Sequence, residues 1–112
     1  EKYLREYCAT AFANCDVLMT PTMPVPAPRL ADVDVSDGEG MPELVILVSR
    51  NTRPISYLGL PALSVPCGFT PSGLPVAMQL IGRPFAEAQL STLGHAYQQE
   101  TDWHTRVPEL AQ

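Results

Sequence analysis

Lysine is almost missing from this sequence: Lys2 is the only one in 112 residues. It falls on the exposed edge of the first helical pattern, which counts strongly against a serine–lysine active site assembled within the chain. Basic charge is scarce altogether. Seven Lys and Arg stand against twelve Asp and Glu, a net charge of −5, which argues against a nucleic-acid groove and its clustered cations. No segment approaches the ~20 uninterrupted apolar residues of a membrane span. Cysteine is limited to Cys8, Cys15 and Cys67, with no Cys-x-x-Cys or His-rich spacing to suggest zinc. Cys8 and Cys15 sit about 10 Å apart along a helix, too far for a disulfide, so reduced thiols and a cytoplasmic protein are expected. There is no Gly-x-Ser-x-Gly elbow, and Gly38 and Gly40 are only a fragment of a phosphate loop. A basic leader followed by an apolar run is also absent. The chain enters directly on the helical pattern Glu1-Lys2-Tyr3-Leu4, which suggests a cut made inside a longer protein.

What remains is an apolar composition, 46% hydrophobic, arranged in alternating element types. Tyr3, Leu4, Tyr7, Cys8, Ala11, Phe12 and Cys15 form a helical stripe over residues 1–15. Val17 to Thr20 reads as a strand ended by Pro21, and helix followed by strand is the order of an α/β layer. Four prolines between Pro21 and Pro28 rule out regular helix or central strand there, and the acidic stretch beyond extends a loop over residues 23–43. Residues 43–49 fit a buried strand or a buried helix equally well. Thr52-Arg53-Pro54 resembles a helix start, with Thr52 as cap, and Gly59 a left-handed helix end. Ala62–Pro66 and Val76–Ile81 are strands; Thr70-Pro71-Ser72-Gly73 has the chemistry of a tight turn, so they form an antiparallel hairpin. In the second of these strands Val76, Met78 and Leu80 face one way and Ala77, Gln79 and Ile81 the other. Both faces are largely apolar and should be covered. The last helix spans residues 86–99, with a stripe of Ala86, Leu90, Leu93 and Tyr97. An irregular tail follows, and its Trp103 should pack on the body of the protein.

Candidate chemistry is sparse. Cys67, His95 and His104 have the residue types of a cysteine hydrolase, but that mechanism needs an imidazole within hydrogen-bond reach of the thiol. Cys67 lies at an apolar strand end, where a buried thiol is ordinary, and His95 is expected to be half-exposed beside the helix stripe. Ser64 is most simply a strand residue. Asp32, Asp34, Asp37, Glu39 and Glu43 are dense enough for calcium, but the spacing of a calcium loop is absent, and a solvated loop is the reading preferred. No cofactor or metal is expected.

One ordered set of motifs is more specific. It runs from Asp16-Val17-Leu18-Met19-Thr20-Pro21-Thr22 through Asn51-Thr52-Arg53-Pro54 to Leu58-Gly59-Leu60-Pro61-Ala62. Gly73-Leu74-Pro75-Val76, Gly82-Arg83-Pro84-Phe85, His95-Ala96-Tyr97 and Thr101-Asp102-Trp103-His104 complete it. In this order and spacing the chain resembles the C-terminal part of the amidase signature family, amidohydrolases acting on carboxamides. The resemblance implies an α/β fold, a mixed sheet with a hairpin flanked by helices. It also implies a Ser–cis-Ser–Lys mechanism whose residues lie upstream, so none is carried onto this chain, and residues 1–112 alone are expected to be inactive. The partners implied are the remainder of the amidase chain and a small-molecule amide, with neither nucleic acid nor membrane. Apolar faces left uncovered would favour self-association. The segment before Gly59-Leu60-Pro61 lies near the acyl pocket in the family, making Arg50, Thr52 and Ser56 candidate substrate-binding wall residues; each would serve equally as a cap or turn residue. Ser56 replaces the asparagine of many relatives, and Ala86 an acidic helix start. The Arg-Asn-Thr-Arg-Pro run favours the family's general amidases over the glutamyl-tRNA amidotransferase members. An independent binding module is the alternative from another class.

Overall fold

The structure is a computed structural model that describes residues 1–34 and 43–108. Helix α1 (Lys2–Ala11) carries the stripe read from sequence except at Tyr3, which is exposed, and stops earlier than the stripe does, with Phe12 as its C-cap. Strand β1 (Val17–Pro21) follows. The proline-rich exit then holds a one-turn helix, α2 (Leu30–Val33), inside the stretch expected to be loop. Its residues lie just beyond the last proline, where helix is no longer forbidden. Of the remaining loop, residues 35–42 lie outside those described. The ambiguous apolar run is helical, α3 (Glu43–Val48), and α4 (Arg53–Leu58) comes next. Strands β2 (Ala62–Phe69) and β3 (Pro75–Gly82) make the hairpin. Helix α5 (Glu87–Glu100) and a 3-10 turn at Trp103–Thr105 close the described chain.

The three strands pair in the order β1-β3-β2, antiparallel throughout. The hairpin turn forms as its residues require. Gly73 takes φ 79°, its N–H donates to Thr70 O, and Thr70 N–H donates to Leu74 O. β2 runs further than expected, through Pro66 to Phe69, with a bulge at Cys67. Proline is tolerated there because β2 is an edge strand of the described sheet.

β3 is central, and its second half, Gln79 to Gly82, is covered on both faces as its sequence demands, whereas Val76 to Met78 are only half-buried. On one face Ile81 packs with Phe12, Ile55 and Leu60, joined by Leu4, Tyr7 and Leu18, so α1 and α4 cover it. On the other, Leu80 packs with Val65 and Leu90, flanked by Val17, Met78 and Tyr97, so α5 covers that side. The stripe expected on α5 needs one correction. Leu93 is exposed, while Gly94 is buried against β2. The absence of a side chain at Gly94 lets helix and strand approach closely, and this rotates Leu93 outward.

Two caps also differ from expectation. Thr52 has helical backbone angles and makes no cap bond. Its Oγ1 donates to Ser49 O instead, because the chain passes from α3 to α4 through a continuous set of turns in which Arg53 N–H reaches Ser49 O. Gly59 ends α4 as read, at φ 67°. Its N–H donates to Ser56 O and Leu60 N–H to Ile55 O, the paired bonds of a left-handed glycine cap. The end of α1 is held from a distance. Arg83 Nη2 donates to Phe12 O at 2.6 Å and Cys15 O at 3.4 Å, and its guanidinium lies 5.2 Å from the centre of the Phe12 ring. A cation thus meets the carbonyl end of the helix.

Candidate functional site

The register places a polar row across the sheet. Thr20 on β1 and Ser64 on β2 both pair with Gln79 on β3. Cross-strand partners share a face, so these three side chains stand on the α1/α4 side, beyond the apolar cluster around Ile81. Gln79 is the one buried polar residue among those described, 3% exposed. Its Nε2 donates to Thr20 Oγ1 and to the Asn51 carbonyl, each at 2.9 Å. Asn51 Nδ2 in turn donates to Pro21 O at 2.9 Å. The hydroxyls of Thr22 and Ser64 lie 2.9 Å apart.

Above this row is a cleft of about 310 Å³, lined by Ala62, Ser64 and Gln79 from the sheet, by Thr22 just past the end of β1, and by Thr52, Ile55, Ser56 and Leu60 from α4 and its ends. Every lining side chain is uncharged. Two of the residues singled out from sequence, Thr52 and Ser56, therefore come together on one wall. Arg50 does not join them; it is exposed and outside the lining. Thr22, Ser64 and Gln79 were not named from sequence as site residues. Gln79 had a legible signal, an amide in a strand whose two faces both call for cover. Thr22 and Ser64 had none, because their meeting depends on strand pairing across 42 residues.

The opposite face carries an apolar trough of about 570 Å³ between β1, β3 and the proline-rich exit, with Met19, Met23, Val25, Cys67 and Met78 among its lining. No histidine lines it. His95 and His104 are both exposed, on α5 and the 3-10 turn. Among the described residues no group of three or more His, Cys, Asp or Glu is placed to hold a metal ion, and no helix is long and apolar enough to cross a membrane.

The amidase family model matches residues 1–91. The chain belongs to the amidase family. Among curated amidase relatives, the A subunit of the glutamyl-tRNA(Gln) amidotransferase from Moorella thermoacetica is 49% identical over 107 residues, covering 96% of this chain and 21% of that protein. Its counterpart from Chloroflexus aggregans is 50% identical over 100 residues, covering 89% and 19%. Among solved structures, the glutamyl-tRNA(Gln) amidotransferase A subunit of Thermotoga maritima superposes with a TM-score of 0.75 at 30% identity, over 99% of this chain and 23% of that one. A structure described as an amidase gives 0.72 at 28% identity, covering 88% and 23%. The 6-aminohexanoate cyclic dimer hydrolase, at 22% identity and a TM-score of 0.74 over 96% of this chain and 25% of that one, shares the fold. The chain thus spans about a fifth of the length of its curated amidase relatives.

Proposed function

We propose that residues 1–112 are the C-terminal segment of an amidase domain whose complete form hydrolyses neutral carboxamides to the acid and ammonia or an amine. The nucleophile and its lysine lie upstream, and this segment supplies one wall of the amide cleft through Thr52 and Ser56. The observation that carries the reading is the lining of that cleft: hydroxyls, an amide and apolar carbons, with no ionised side chain. The hydroxyls can hydrogen-bond a carboxamide, the Gln79 N–H groups being already engaged within the protein, whereas burying the charged ends of a free amino acid there would need partners that this wall lacks. The single lysine supports the division of labour, since Lys2 is exposed on α1 and bridges to Glu6 at 3.9 Å. The complete protein is assigned to the cytoplasm, consistent with three unpaired cysteines and with the reducing compartment that such thiols suit.

A second reading, a glutaminase of the amidotransferase type, is favoured by the names of the relatives at 49% and 50% identity. Ammonia release by the complete protein from simple aliphatic and aromatic amides, set against glutamine, separates the two. The neutral-amide reading expects kcat/KM for the best simple amide to exceed that for glutamine by at least about tenfold, the discrimination that one unmet polar group gives. Preference for glutamine would transfer the assignment to the second reading.

A further inference from the structure

We propose that Gln79 is a positioning residue: its buried amide clamps the arm joining α3 to α4 onto the sheet and so sets where Thr52 and Ser56 stand over the cleft. The proposal rests on the reading of that cleft as an amide-binding wall, and the clamp itself can be tested without it. Gln79 sits on the central strand, yet its two N–H groups are spent on different parts of the molecule. One holds Thr20 on the neighbouring strand; the other holds the carbonyl of Asn51, outside the sheet and one residue before Thr52. Asn51 is tied a second time, through its side chain, to Pro21 O. The arm is therefore pinned at Asn51 from β3 and β1 together. The backbone N–H groups of Arg50, Thr52, Arg53 and Ser56 donate to Leu47, Ser49 and Thr52 carbonyls, bonds that are local and do not reach the sheet. Each bond is shielded from water by the burial of Gln79, so neither is replaced cheaply when the donor is lost. No charged or titrating group is involved, which makes the clamp independent of pH near neutrality.

The test uses the complete amidase carrying this segment, with Gln79→Met, which keeps length and apolar volume but removes both donors. Thr20→Val is the control, leaving the bond to Asn51 in place. Amide hydrogen exchange at Arg53 and Ser56 is compared with that at Leu80 in the centre of the sheet. The clamp predicts that Gln79→Met speeds exchange at Arg53 and Ser56 by about tenfold more than at Leu80, with Thr20→Val within about twofold of wild type. Equal acceleration throughout, or none in the arm, would overturn it, since either means that Gln79 serves only general stability. Kinetics on a neutral amide supply the second readout. A KM raised about tenfold with kcat nearly unchanged is the signature of a displaced binding wall. A loosened arm with unaltered KM would overturn the link between clamp and substrate. A loosened arm in a protein that hydrolyses no amide at all would support the clamp and overturn the amidase reading instead.

Discussion

Replacing Gly94 with alanine would set a methyl group 2.6 Å from Cδ2 of Leu63 and 3.5 Å from Cγ1 of Val65. Alanine gains about 1 kcal/mol of helix propensity over glycine, but overpacking costs about 1–3 kcal/mol, and the end of Leu63 must turn aside to admit the methyl group. Urea denaturation should show Gly94→Ala to be less stable by about 1 kcal/mol, and the loss should vanish or reverse in a Leu63→Ala background. The same residue shows where reading from sequence stops. Hydropathy assigns Leu93 to the core because leucine is apolar and glycine carries no signal, whereas the backbone brings helix and strand together where no side chain intervenes. Arg83 was equally silent, because its partners Phe12 O and Cys15 O are distant in sequence. Arg83→Met keeps most of the stem and removes the donors. Thermal melting should register a loss of about 1–2 kcal/mol, that of a charged hydrogen bond to a helix end.

Among the elements, those fixed by local chemistry were legible: most of the α1 stripe, the glycine stop of α4, the hairpin, and the covering of the second half of β3 on both faces. The run Glu43–Val48 was not, because a short apolar segment has no period that separates helix from buried strand; in the structure it is helical and continues into the turns that follow, where Ser49 N–H donates to Val45 O. The candidate wall was half legible for a related reason. Thr52 and Ser56 lie one helical turn apart on one side of α4, whereas Arg50 precedes the helix and turns to solvent. The 3-10 turn after α5 shows a local motif whose chemistry can be measured. Trp103 packs on Phe69, ring centres 6.3 Å apart, and Arg106 stacks 4.4 Å over the indole while bonding Asp102 Oδ2 at 2.9 Å. That bond holds the Asp102 carboxyl below the usual aspartate range. A depressed carboxyl favours the folded turn above the ordinary aspartate pKa, and the contribution is lost as pH falls through the lowered value. Carbon NMR of the Asp102 carboxyl should place its titration lower in the native protein than in Arg106→Gln; coincident curves would remove the ion pair from the account of the turn.

At the scale of the molecule, the chain is a thin slab, 45 × 39 × 18 Å, with a radius of gyration of 16.4 Å. A compact domain of this length would have about 13 Å. Both edges of the described sheet are unpaired, Met19 is 67% exposed, and the apolar trough beside it lies open. Such surfaces associate when left uncovered. Sedimentation of the isolated chain should show a mass that rises with concentration, and a stoichiometric complex should replace those species when the upstream portion of the amidase is added. A concentration-independent monomer would favour the self-contained binding module. The most direct test of the central claim, that this segment shapes an amide site whose nucleophile lies elsewhere, is ammonia release from a panel of simple carboxamides. It would be assayed with the purified chain, with its Cys67→Ala variant, and with the chain rejoined to the upstream portion. The account predicts no turnover from the chain or its variant and hydrolysis by the rejoined protein. Turnover by the chain alone, lost in Cys67→Ala, would contradict it and place the chemistry within these residues.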